Sequence, residues 1–284
     1  MTEAALRNDH EARLERWTAP GGDVSVHVFT SKEAAGAYVA GVIAGALQSA
    51  VAERGKALWI GCGGTTPRMI YESLTGLDLP WDKITLGQVD ERFVPVDDVQ
   101  SNTRMMRDAL DPVLGSAIGG MSDPVLDSIP GQAPALAQNA GGMTFLSLIE
   151  DITDADTCAA LAEDRLRSLA GGAAPMFDIA LLGMGPDAHY ASIFPQHPIN
   201  ATVYDTDRLV VPIAATGTSL EPVLPRITLT VPALNNSRRI LFFITGATKL
   251  EVLRTASQST DPYVSPIGAF LAQCPVPVDF VWAE

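Results

Sequence analysis

The residues best equipped for chemistry are Asp187 and His189, two positions apart in the stretch DIALLGMGPDAHYASIFP that spans 178–195. The apolar run at 179–182 predicts a buried strand, and Gly183-Met184-Gly185-Pro186 predicts a loop at its carboxyl end. Ligands of open α/β sheets lie at such strand ends, so the pair is placed to meet one. An imidazole ionises near pH 6.5 in water, about where a group must titrate to take and return a proton at neutral pH. That makes His189 the natural general base, with Asp187 and Asp90 both candidates to orient it. A satisfied core histidine is the bland alternative, and the loop setting argues against it. His10, His27 and His197 have no comparable setting, and the histidine spacing is not that of a zinc site.

Other strand ends carry complementary groups. A predicted strand at 57–60 breaks into Gly61-Cys62-Gly63-Gly64-Thr65-Thr66-Pro67. Strand, glycine loop and proline in the first helical turn together point free backbone N–H groups and a helix dipole at an anion. Thr65 and Thr66 add hydroxyl donors, although glycine pairs also serve as plain turns. The loop is neither a Walker A motif nor a full dinucleotide fingerprint. A third strand at 83–89 runs into Asp90-Glu91-Arg92, followed by Asp97, Asp98, Ser101 and Asn102; a solvated acidic loop is the competing reading. Arg226 and Lys249, the latter one turn into a helix after a strand at 239–245, complete the set. Such a combination suits a small phosphorylated substrate, held at one end by cations and attacked at the other by a base-activated water.

The elements that must position these groups alternate in type. A strand at 24–29 precedes a long Ala-rich helix at 31–53 with Ser31 as its N-cap, the signature of βαβ architecture. Residues 1–22, polar and ending at Pro20-Gly21-Gly22, are expected to form a loosely packed N-terminal arm, and 23–284 a single α/β domain. Between 115 and 142 the sequence loosens into Gly, Pro, Ala, Ser and Gln and predicts a surface excursion. A helix at 156–170 and strands at 208–213 and 278–282 resume the core pattern.

Composition narrows the function classes. The formal net charge of −14 disfavours a large nucleic-acid footprint, so the positive partners of any anionic ligand must be local. Cys62, Cys158 and Cys274 are odd in number and scattered, which argues against a disulfide framework or a CxxC metal site; they read as buried fillers. No run of about 18 uncharged apolar residues is apparent, and the N-terminus lacks the apolar core of a signal peptide. The expectation is a cytoplasmic protein without membrane or nucleic-acid partners, its oligomeric state unread.

Taken together, GCGGTTP at 61–67, QVDERFVPVDDVQSN at 88–102, LLGMGPDAHYASIFP at 181–195, PRITLTVPAL at 225–234 and ITGATKLEVL at 244–253 resemble the 6-phosphogluconolactonase family, in that family's order. The resemblance implies a doubly wound, Rossmann-like α/β fold with a mostly parallel sheet and helices on both faces, shared with glucosamine-6-phosphate deaminases. It implies hydrolysis of 6-phospho-D-glucono-1,5-lactone to 6-phosphogluconate, the second step of the oxidative pentose phosphate pathway, without metal or organic cofactor. It further implies that His189 is the general base, that Gly63, Gly64 and Thr65 with Arg226 and Lys249 hold the 6-phosphate, that Arg92 meets the phosphate or ring, and that Asp90 meets ring hydroxyls. A donor for the developing oxyanion is also required, and the sequence singles out none.

Two departures bear on the site. The family usually has Asp-Gly-His-Thr where this chain has Asp187-Ala188-His189-Tyr190. If that position needs a positive φ, Ala188 costs about 1 kcal/mol or more; the Tyr190 ring is expected to narrow the pocket. The nearest rival enzyme is a glucosamine-6-phosphate deaminase or isomerase, which typically carries a Glu shortly after the motif histidine; residues 190–196 contain no acid. A non-catalytic sugar-phosphate-binding protein is the rival of a different class.

Overall fold

The computed structural model describes residues 12–114, 142–150, 152–215 and 222–284. The apolar runs become the parallel core strands: β3 (Ala57–Gly61), β4 (Ile84–Gln88), β7 (Ile179–Leu182), β10 (Ile240–Thr245) and β11 (Val278–Ala283). Every residue of β7 and all but the last of β10 are buried, the burial expected of strands covered on both faces. With β1 (Arg13–Ala19), β2 (Gly22–Phe29) and β6 (Thr144–Leu146) they form an eight-stranded sheet in the order β1-β2-β11-β10-β7-β3-β4-β6. Neighbours run parallel except β1 and β2.

Residues 13–22 therefore depart from the expected loose arm. β1 pairs along its whole length with β2, from Arg13 opposite Val28 to Ala19 opposite Gly22, and Pro20-Gly21 is the hairpin turn. Gly22 adopts φ +123, a backbone region open to glycine, and a Cβ at Gly21 would lie 2.8 Å from the Ala272 nitrogen. The polar alternation of Arg-Leu-Glu-Arg-Trp is that of a half-exposed edge strand. Residues 115–141, the expected excursion, lie outside the described residues apart from its end at Gly142; β6 follows as the opposite edge.

α1 (Lys32–Arg54) begins where Ser31 Oγ accepts the Ala34 N–H at 3.1 Å and ends at Gly55 in the left-handed region. Contrary to the sequence expectation, it is long and apolar enough to cross a bilayer by length and composition. Half of that window is buried inside the fold, including Val39, Ile43 and Leu47, as a core helix requires.

Two features the sequence reading lacks create the site. A second, antiparallel sheet of order β5-β9-β8 joins β5 (Asp90–Arg92), β9 (Arg226–Leu229) and β8 (Val210–Ile213), so Asp90-Glu91-Arg92 is a short strand instead of a loop. Its register sets Arg92 opposite Arg226. The main sheet also reverses its winding between β3 and β7, which are neighbours with Gly61 opposite Leu181. From β3 the chain returns through α2 (Thr65–Thr75) to β4 on one side, and from β7 it proceeds to β10 on the other. The connections diverge and leave a crevice at the strands' carboxyl ends.

Candidate active site

Into that crevice the β7 loop delivers His189. The loop is closed by the Gly185 N–H donating to the His189 carbonyl at 2.8 Å and the Ala188 N–H donating to the Gly185 carbonyl at 3.2 Å. Ala188 adopts φ 66, so the costly branch of the sequence expectation is the one the chain occupies. The imidazole lies directly on Gly185: a Cβ there would fall 2.1 Å from Nδ1 and Cε1.

His189 Nδ1 stands 2.5 Å from Asp187 Oδ1, and the ring packs on Phe194 with centroids 4.5 Å apart. Burial alone would raise the Asp187 carboxyl, but the hydrogen bond and charge of His189 outweigh it and hold the group below its ordinary value. An ionised carboxylate only accepts, so Nδ1 is the donor, and in the neutral imidazole the Nε2 lone pair is left free. Asp90 makes different contacts. Its Oδ2 accepts the Ser192 hydroxyl at 2.6 Å and faces Arg226 Nη1 at 3.8 Å. The geometry thus pairs His189 with Asp187.

The remaining predicted residues gather around the same opening. Gly63, Gly64, Thr65, Thr66, Asp90, Arg92, His189, Arg226 and Lys249 all line one cleft, with Asp187 behind His189. α2 starts at Gly64, φ 109, with no side-chain cap and no acid in its first turn, so its orphan N–H groups and positive end are open to an anion. Arg226, 5% exposed, stacks over Phe194 at 5.3 Å, and its Nε has no partner among the described residues. Burial lowers its pKa, Asp90 opposes that, Arg92 adds to it, and the net shift is downward. Lys249, in α6 (Ala247–Ala256), donates from Nζ to the Met184 carbonyl at 2.7 Å; burial lowers its pKa and no described carboxylate pairs with it. Arg92 donates to the Gln100 carbonyl at 2.6 Å while its buried Nε has no partner among the described residues. Three cations therefore line a concavity in an acidic molecule.

Residues 30–282 match the family described as glucosamine-6-phosphate isomerases/6-phosphogluconolactonase. The chain belongs to that family. A 6-phosphogluconolactonase of Caulobacter vibrioides is 33% identical over 93% of this chain and 100% of its own length. One from Rhizobium meliloti is 32% identical over 91% of this chain and 98% of its own. A solved 6-phosphogluconolactonase from Shewanella baltica superposes with a TM-score of 0.75 at 30% identity, covering 96% of this chain and all of that one.

Against the pattern of the glucosamine-6-phosphate isomerase/6-phosphogluconolactonase family, the second departure falls differently from expectation. Tyr190 does not narrow the cleft: it is fully buried, 4.8 Å from the Phe270 ring and 6.2 Å from Phe242, and its hydroxyl points to Tyr204. The left-handed turn at Ala188 sends His189 to the cleft and the next side chain to the core. Cys62, read as a filler, is buried but borders the cleft. Burial, with Asp90 nearby, pushes its thiol up to about 12, which keeps it protonated and unfit as a nucleophile. The sequence reading assigned no role to Ser192, which caps Asp90, to Phe194, which carries both the imidazole and the guanidinium, or to Asn102. Ser192 and Phe194 lie within the same motif as His189, which is the one sequence signal that points to them.

Proposed function

We propose that this chain hydrolyses 6-phospho-D-glucono-1,5-lactone to 6-phosphogluconate, in the cytoplasm and as a single α/β unit, in the second step of the oxidative pentose phosphate pathway. The observation that carries this reading is one cleft shared by an aspartate-oriented imidazole and three cations. Arg226, Lys249, Arg92 and the backbone of Gly63, Gly64, Thr65 and Thr66 hold the 6-phosphate by charge-assisted hydrogen bonds, and Asp90 meets ring hydroxyls. Anchoring the phosphate places C1 for attack. His189 Nε2 takes a proton from water as its oxygen bonds to C1, giving a tetrahedral oxyanion. Collapse expels the ring oxygen, which receives that proton and becomes the C5 hydroxyl, while C1 becomes the carboxyl group. Asp187 stabilises the imidazolium between the two transfers.

The test generates the lactone in situ and follows its loss with wild type, with His189→Ala, and without enzyme as the control for spontaneous hydrolysis. Acceleration that the variant lacks supports the reading; no acceleration by wild type rejects it. In the same assay Lys249→Ala and Arg226→Ala should each raise KM about 10- to 100-fold, the loss of one hydrogen bond to a charged group. An unchanged KM would remove that residue from the phosphate site.

A further inference from the structure

Asn102 lines the cleft, is 2% exposed, and has no part in the mechanism above. It opens α3 (Asn102–Leu110), and its Nδ2 donates to the Asp90 carbonyl at 3.1 Å, which fixes the amide because only its nitrogen can face a carbonyl. Oδ1 then lies against the glycine loop, where a Cβ at Gly63 would be 1.9 Å from it. No described residue donates to this oxygen. A bare acceptor does not suit phosphate oxygens, which are acceptors themselves; it suits a hydroxyl.

What holds Asn102 there is Glu91, fully buried on β5 between Asp90 and Arg92. Strand alternation turns Glu91 away from the cleft that both neighbours line. Its Oε1 accepts the backbone N–H of Asn102 at 2.8 Å and of Arg92 at 2.7 Å. Its Oε2 accepts the Thr103 N–H at 2.6 Å, the Ser101 hydroxyl at 3.1 Å and Gln88 Nε2 at 3.0 Å. One carboxylate thus takes the first two N–H groups of α3 and ties that turn to β5, an arrangement the helix dipole favours.

We propose that Asn102 binds a hydroxyl of the substrate's sugar portion through Oδ1 and that Glu91 is its positioning residue. This rests on reading the cleft as a phosphosugar site. The test compares equilibrium binding of 6-phosphogluconate and of inorganic phosphate by calorimetry in wild type, Asn102→Ala, Glu91→Gln and the double variant. Asn102→Ala should weaken 6-phosphogluconate about 3- to 10-fold, the loss of one neutral hydrogen bond, and inorganic phosphate less than about 2-fold. In Glu91→Gln the amide nitrogen must face N–H donors whichever way it turns, so the same selective loss is expected. The double variant should lose less than the product of the two single effects, because Glu91 acts through Asn102. Retained phosphate binding reports an intact cleft. Equal loss of both ligands, no loss in Asn102→Ala, or independent effects in the double variant would each overturn the inference. A wild type that binds phosphate but not 6-phosphogluconate overturns the phosphosugar reading with it, whereas a wild type that binds both and an indifferent Asn102→Ala overturn this inference alone.

Discussion

At the scale of single residues, the proton chemistry depends on which imidazole nitrogen carries hydrogen. Asp187 Oδ1 at 2.5 Å from Nδ1 decides this, because its carboxyl stays ionised and accepts only. Asp187→Ala removes the acceptor that holds the proton on Nδ1 and steadies the imidazolium, and so weakens the base. We expect kcat to fall about 100- to 10,000-fold, the usual contribution of a general base, with KM changed little. Steady-state kinetics check this, and a kcat within a few-fold of wild type would free Asp187 of the role. Ala188 carries a different cost. At φ 66 its Cβ opposes the backbone by about 1–2 kcal/mol, of which glycine would return part to the entropy of the unfolded chain. Ala188→Gly should therefore stabilise the fold by about 0.5–1 kcal/mol. Urea unfolding measures it, and destabilisation would mean that neighbouring contacts of the methyl outweigh the torsion. Residue types were legible here, since Asp-x-His after a buried strand identified the pair. Their partners were not: Asp90 and Asp187 are equal candidates until tertiary structure sends one to Ser192 and the other to His189.

Among the elements, the long apolar strands and the capped helix were legible because periodicity accumulates over many residues. The three-stranded sheet was not. β8 was legible as a strand, but β5 has three residues and β9 four, too short to display a period, and β5 is made of charges that read as a loop, so nothing local shows that the three pair. What holds that sheet is equally nonlocal. Glu163, in α4 (Ala155–Ser168), accepts the Leu209 and Val210 N–H groups at 3.0 and 3.3 Å and pairs with Arg208 and Arg167 at 2.8 Å. It fastens β8, which pairs with β9, which carries Arg226 to the cleft. Burial would raise this carboxyl, but Arg208, Arg167 and the two backbone donors outweigh it and hold it below its ordinary 4.5. A depressed folded-state pKa means that its contribution is complete above the ordinary value and is lost as pH falls through the folded value. Glu163→Gln should accordingly cost about 2 kcal/mol at pH 7, and the gap to wild type should narrow at a pH below the ordinary carboxylate range. Denaturant unfolding at both pH values decides it, since a gap independent of pH would assign the effect to shape instead of charge.

For the molecule as a whole, the alternation of strands and helices announced the fold class, but strand order is set by contacts far apart in sequence and no local pattern contains it. The crevice between β3 and β7 exists because the winding reverses there, which no single motif encodes. Electrostatics shows the same division of scale. The whole chain carries a formal charge of −14, yet the cleft gathers Arg92, Arg226 and Lys249 against Asp90 and Asp187. A phosphorylated substrate is therefore repelled at long range and attracted at contact. Salt separates the two, because the Debye length falls from about 30 Å at 0.01 M to about 8 Å at 0.15 M, while buried contacts are screened much less. Screening should remove the distant repulsion first. We therefore expect kcat/KM to rise over that interval when measured with a monovalent salt whose anion competes poorly for phosphate sites. A steady fall from the lowest salt would mean that the three cleft cations dominate the field well beyond the cleft, and that the acidic surface is too dispersed to oppose them.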